Sequence, residues 1–179
     1  MRYAAHTAWV CALLWAAAPA AANAETAIAP LRGTAGYEDL EGTITFVDTE
    51  AGLRIEASVS HAPPGNHGFH IHEFGVCGED GSRAGSHYNP DDAPHGNLLV
   101  DGFEQAHAGD LGNLLVSPAG LGSLIVTVPG LSLSGKSYAV AGRAVILHAE
   151  PDDFGQPVGN AGGRIGCGPI LLAPASIRE

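Results

Sequence analysis

Positive charge is what this sequence most lacks. Eight Lys and Arg residues stand against nineteen Asp and Glu, and the formal net charge is −11. So acidic a chain, with its few cations scattered, argues against nucleic acid as a partner and against an anionic membrane surface. Cysteine is also scarce, at three residues. Helix signals are nearly absent. Beyond the N-terminus there is no apolar run long enough to span a bilayer and no internal repeat.

The first 24 residues read as a secretory signal peptide. Arg2 supplies the positive start, residues 9–22 are almost wholly apolar, and Ala22-Asn23-Ala24 is a small-x-small cleavage site before Glu25. Cys11 leaves with this segment, since Trp9 and Val10 are too bulky for a lipidation box. The expected mature chain, 25–179, forms one domain in the periplasm or outside the cell, with no membrane attachment. Removing Arg2 takes its formal charge from −11 to −12. In an oxidising compartment the remaining pair, Cys77 and Cys167, is expected to form a disulfide, with free or metal-bound thiols as the alternative. Closing a loop of about 90 residues is worth on the order of 4–5 kcal/mol in the chain-entropy model.

What is abundant is Gly and Pro, between short alternating or apolar runs. Strands are predicted near 27–33, 40–48, 53–60, 67–74, 112–117, 122–128, 141–148 and 163–172. Glu50-Ala51-Gly52 reads as a hairpin turn, and 117–120 as another. Eight short strands point to an all-β fold, an antiparallel sandwich or Greek-key barrel. Two stretches break the pattern, 75–110 and 149–162. A loop of more than 30 residues needs something to organise it.

Six histidines and an aspartate supply a candidate organiser: His70, His72, His87, His95, His107, His148 and Asp110. On a strand, His70 and His72 share one face while Phe69 and Ile71 take the other. A four-histidine site and a three-histidine, one-aspartate site need eight ligand positions. Seven side chains fill them only if one imidazole uses both ring nitrogens. Imidazole suits copper and zinc, and three imidazoles with a carboxylate suit tetrahedral zinc.

In these motifs the chain resembles the copper/zinc superoxide dismutases. H-G-F-H-I-H-E-F-G (67–75), A-G-S-H-Y-N-P (84–90), P-H-G-N (94–97), H-A-G-D-L-G-N (107–113), L-H-A-E-P-D-D (147–153) and G-N-A-G-G-R-I-G-C-G-P-I (159–170) carry the likeness, which covers roughly residues 27–173. The resemblance implies an eight-stranded Greek-key β-barrel with two long functional loops. It implies copper on His70, His72, His87 and His148, and zinc on His87, His95, His107 and Asp110, with His87 as the bridge. Asp152 would link a copper ligand to a zinc ligand, with its neighbour Asp153 as the competing choice. Arg164 would receive the small anion beside copper, and Cys77 and Cys167 match the family's disulfide. His67 resembles a structural histidine, and His61 has no counterpart.

The implied reaction is dismutation of superoxide to O₂ and H₂O₂. The early position of Cys77, five residues after His72, resembles bacterial secreted members, which are homodimers or monomers. Two features depart from the common pattern. The spacing from His95 to His107 is longer. The loop 153–160 is short and has no Lys or Arg, and Val158 stands where a threonine commonly narrows the channel. Electrostatic steering of the anion is therefore expected to be weak. The alternatives are a non-enzymatic copper-binding or trafficking protein, which would lack a ligand or the arginine, and a zinc hydrolase, which would need an open zinc position.

Overall fold

The computed structural model describes residues 24–135 and 137–174. The expected signal peptide lies outside these residues except for Ala24. The chain runs β1 (Thr26–Gly33), β2 (Glu41–Thr49), β3 (Gly52–Ser60), β4 (Gly65–His72), a 3₁₀ turn (Ser82–Ala84), α1 (Leu98–Asp101), β5 (Asp110–Val116), β6 (Gly122–Val128), β7 (Leu131–Ser132), β8 (Tyr138–Ala139), β9 (Ala144–His148), β10 (Arg164–Pro169) and β11 (Leu171–Leu172).

Eight of these strands close a barrel. Their order is β1-β2-β3-β6-β5-β4-β9-β10, and β10 returns to β1 through Arg32↔Cys167 and Gly33↔Gly166. All the pairings are antiparallel. The order β9-β4-β5-β6 is a Greek key, since the fourth strand of the set returns beside the first. β11 extends the sheet along β1, and β7 and β8 form a separate parallel pair.

Alternation in the sequence explains the interior. Ile44 and Phe46 of β2, and Leu53, Ile55, Ala57 and Val59 of β3, point inward and are buried, while their neighbours are more exposed. The β2–β3 hairpin turns at Glu50 and Ala51, with Thr49 opposite Gly52. Phe69, Ile71, Leu114, Val145 and Leu147 join the same core. The other faces of β4 and β9 carry His70, His72 and His148. These histidines are buried as well, because the two irregular stretches fold over the barrel wall.

The long stretch after β4 is stitched to the barrel at several points. Tyr88 N–H donates to Ile71 O at 2.8 Å, Ile71 N–H to Gly109 O at 2.9 Å, and Gly109 N–H to Tyr88 O at 2.9 Å. The Cys77–Cys167 disulfide, with Cα atoms 5.6 Å apart, ties the stretch to β10. Beneath it Ala84, Ala144, Ile146 and Cys167 form a small second core outside the barrel. Arg143 lies 3.3 Å over the Tyr88 ring and donates to Glu73 O at 3.0 Å, fixing the root of the loop.

Most strand bounds agree with expectation to within a few residues. β4 ends at His72 rather than 74 because the chain turns outward there, with Glu73 N–H on Ser86 O. β9 begins at Ala144 rather than 141 because 140–143 form a turn closed by Arg143 N–H on Val140 O. α1 was not expected. It is one turn, too short to show a periodic pattern, and Asn97 caps it by accepting from Leu99 N–H at 3.2 Å. Among the described residues no helix is long and apolar enough to cross a membrane.

Candidate metal centre

The structure gathers the predicted residues into two groups that share His87. One is His70, His72, His87 and His148, and the other is His87, His95, His107 and Asp110. Within each, the potential ligand atoms lie within 4.8 Å of one another. All seven side chains are buried. β4 and β9 contribute three members of the first group. The loop contributes three of the second, and Asp110 opens β5. His87 itself sits opposite His72 in an isolated antiparallel bridge.

In the first group, the outer ring nitrogens are held by acceptors. His72 Nδ1 donates to Gly85 O at 3.0 Å, and His148 Nδ1 to Gly162 O at 3.3 Å. Donation there leaves lone pairs on both Nε2 atoms, and these face each other at 3.4 Å. Two opposed lone pairs repel unless a cation lies between them. His70 Nε2 donates to Asp152 Oδ2 at 2.9 Å, which leaves its Nδ1 buried without a hydrogen-bond partner. These free lone pairs are the donor set of an imidazole-bound metal.

In the second group the candidate ligand atoms converge, at separations equal to or shorter than those of a tetrahedral zinc site. His87 Nδ1 lies 2.8 Å from Asp110 Oδ1 and 3.4 Å from His107 Nδ1, and His107 Nδ1 lies 3.1 Å from Asp110 Oδ1. His95 Nδ1 lies 2.9 Å from Asp110 Oδ2 without the alignment of a hydrogen bond, as two ligands facing one ion would. Zinc bonds of about 2.0–2.1 Å in a tetrahedron put ligand atoms about 3.3–3.4 Å apart. With Nδ1 of His87 turned to this group, its Nε2 is left for the first. The residues therefore fit two ions joined by one imidazole.

Asp152 is the group that bridges the two sets from outside. Its carboxylate accepts from His70 Nε2 and from His95 Nε2, each at 2.9 Å. Asn113 clamps its main chain, accepting from Asp152 N–H at 2.8 Å and donating to Asp152 O at 2.9 Å. Asp153 faces solvent and bonds Gly155 N–H and the Asn160 amide, so Asp152 is the linking residue. Gly159 has φ +74°, and a Cβ there would collide with Asp152 Oδ1 and His95 Nε2. A side chain at 159 would occupy the space of that hydrogen bond.

The electrostatics follow from burial and these carboxylates. Burial, reinforced by His87 and outweighing the Gly85 carbonyl, holds His72 far below its ordinary value. Burial likewise pushes His87 down to about 4, against its hydrogen bond to Asp110, and His148 down to about 3. His95 goes the other way. Burial disfavours its charge, but Asp110 and Asp152 outweigh that and raise it to about 9. Burial would raise Asp110, yet the close imidazoles of His107, His87 and His95 hold it well below the carboxylate range. Asp152 is lowered in the same way by His70 and His95.

Arg164 stands beside the first group. It pairs with His148 across β9 and β10, and its guanidinium donates to Gly81 O and, at 2.6 Å, to Gly85 O. Gly85 O thus holds both His72 and Arg164. Thr34 Oγ1 donates to Arg164 O at 2.7 Å. His67 spans two carbonyls, those of His148 and Pro63, at 2.8 Å each, and belongs to neither group. His61 is exposed. Val158, expected at a channel wall, lines a cavity beside His87, His95 and His107.

Sequence reasoning assigned no role to Asn113, Gly159 or Gln156, nor to the carbonyls of Gly85 and Gly162. Asn113 and Gly159 sit inside quoted motifs and could have been suspected. Gln156 carries no local signal, and carbonyl roles depend on tertiary placement alone.

The family model described as copper/zinc superoxide dismutase matches residues 40–170. The chain is 39% identical over 146 residues to "Superoxide dismutase [Cu-Zn] 3" of Arabidopsis thaliana, covering 77% of this chain and 87% of that one. It is 38% identical over 143 residues to "Superoxide dismutase [Cu-Zn] 2" of Brassica juncea, covering 75% and 91%. A chain that matches along this length, and that folds into this barrel with two histidine groups joined at His87, belongs to the copper/zinc superoxide dismutase family.

Proposed function

We propose that the chain disproportionates superoxide, with copper on His70, His72, His87 and His148 and zinc on His87, His95, His107 and Asp110. The observation that carries this reading is the shared His87, whose Nδ1 faces Asp110 and leaves Nε2 to the all-imidazole group. Four imidazoles without a carboxylate suit copper, and three with one suit zinc. Bound copper, alternating between its two oxidation states, supplies the one-electron chemistry by which two superoxide ions and two protons become O₂ and H₂O₂.

The protein's own residues do the rest. Asp110 keeps His87 Nδ1 committed to the zinc side, so Nε2 is the ring atom that can hold and give up a proton. Arg164 offers a fixed positive charge beside the first group, with donors for a small anion. Asp152 orients the rings of His70 and His95 together.

The protein acts outside the cytoplasm in this reading, as a bacterial exported member of the family. The N-terminal pattern at 2–24, the early Cys77 and the disulfide to Cys167 support it. Its N-terminus recovered from a periplasmic fraction should read Glu25-Thr26.

The deciding experiment is metal content with superoxide consumption on the purified mature chain, before and after copper and zinc are supplied, beside His87→Ala. About one copper and one zinc per chain, activity that requires copper, and its loss in the variant are expected. Full copper binding without activity would move the assignment to copper handling.

A further inference from the structure

The second group has an opening of its own. A cavity of about 270 Å³ is lined by His87, His95 and His107 together with Asn89, Gln156 and Val158. Of the first group only the shared His87 reaches it. Solvent on this side meets the loop-built group without passing His70, His72 or His148.

One wall of the cavity is the segment 156–158, and it is fastened to the main chain of His95. His95 N–H donates to Gln156 Oε1 at 3.1 Å, and Gln156 Nε2 donates to His95 O at 2.7 Å. A single side-chain amide thus holds both backbone groups of one residue, as a neighbouring antiparallel strand would. The His95 ring is bonded by Asp152, from the same irregular stretch. Among the four residues of the second group, His95 is the one held in both main chain and ring by residues 149–162. A metal leaves such a site when a ligand swings away and fails to return. The Gln156 clamp fixes the main chain from which the His95 ring swings and to which it returns, and the cavity is where incoming solvent would replace the ring.

We propose that Gln156 is a positioning residue for His95, and that this clamp and the cavity beside it set the exchange rate of zinc separately from that of copper. The proposal rests on the assignment of zinc to the second group. It needs no change in the first group, because no bond of Gln156 reaches His70, His72 or His148.

The test is metal release from the fully loaded protein into a colorimetric zinc chelator, with copper release followed in parallel. Gln156→Ala should speed zinc release about tenfold, at the lower end of the 10–100-fold effect of removing a group that orients a ligand. Copper release should be unchanged. Gln156→Glu keeps an acceptor for His95 N–H but sets a carboxylate against His95 O, and should act in the same direction. Val158→Phe narrows the cavity without touching the clamp, and should slow zinc uptake by the zinc-depleted protein. Unchanged zinc release in both Gln156 variants, or equal acceleration of zinc and copper release, would overturn the proposal. So would unaltered zinc uptake in Val158→Phe. A wild-type protein that takes up copper but no zinc would overturn the zinc assignment itself, and the proposal with it, which is a distinguishable failure.

Discussion

The two halves of the metal centre are built differently. Three of the four residues of the first group stand on β4 and β9, rooted in a wall whose inner face is Phe69, Ile71, Val145 and Leu147. Three of the four residues of the second group stand on the long loop, which packs Ala84 against the outer faces of β9 and β10 at Ala144, Ile146 and Cys167. The first group is fixed by sheet register and by carbonyl acceptors. The second is fixed by carboxylates and by the Gln156 clamp, on a loop that the disulfide ties to β10, while Asp152, held by Asn113, serves both groups. A strand-built site keeps its shape when empty. A loop-built site depends on its ion and its ties, so binding and folding are coupled there.

The largest test of that contrast is removal of the disulfide. Cys77→Ser or Cys167→Ser should cost on the order of 4–5 kcal/mol by the chain-entropy argument, read from thermal or denaturant unfolding. Zinc should be lost at milder conditions than copper. Loss of both metals together would show the first group to be equally dependent on the loop.

Next in size is the link between the halves. Asp152→Ala should weaken zinc binding about 10–100-fold, since it orients the His95 ring, and weaken copper binding less, because strands still place His70. Gly159→Ala should reproduce the zinc defect with Asp152 intact, because its methyl group would enter the space of the Asp152–His95 bond. Titration of each metal separates the two effects, and an equal loss at both sites would erase the distinction.

Acidity sharpens the comparison in the metal-free protein. His87 and His148 have folded values of about 4 and 3, against 6.5 ordinarily. Each therefore contributes stability that is whole above pH 6.5 and is lost as pH falls toward those values, at up to about 1.4 kcal/mol per pH unit. His95, raised to about 9, works in reverse: its contribution is whole below 6.5 and lost as pH rises through 9. Asp110 changes nothing in this window, because its contribution is lost only below the ordinary carboxylate range. The Tm of the metal-free protein should fall from pH 7 to pH 5. A flat or rising Tm would mean that His87 and His148 tolerate charge in the folded protein, since the contribution of His95 is already whole below pH 6.5.

The smallest effect expected is that of salt. The segment 153–160 offers no cation, and the chain is strongly acidic. Superoxide consumption should stay flat or rise as ionic strength is raised, where a steered enzyme would slow. A clear fall would place a steering charge elsewhere on the surface.

The fold was legible because its strands alternate. The pattern in β2 and β3 fixes which residues enter the barrel whatever their partners are, since a strand with one buried face has one acceptable phase. The candidate ligands were legible because H-x-H on a strand and the 107–113 motif carry chemistry in short spacing. The loop's internal structure was less so. α1 is one capped turn and gives no period, and the ends of β4 and β9 are set by turns that bond to distant residues.

By itself, then, the sequence determined the residue types that meet a metal, the inward and outward faces of the strands, and the family. Tertiary structure decided which nitrogen of each histidine is free, because that depends on the carbonyls of Gly85 and Gly162 and the carboxylate of Asp152 brought in from far along the chain. It also decided that Asp152 rather than Asp153 links the two groups, and that Gln156 grips His95. Each of these is a contact between segments separated by many residues, and hydrogen-bond direction at such contacts is set by packing that no local pattern encodes.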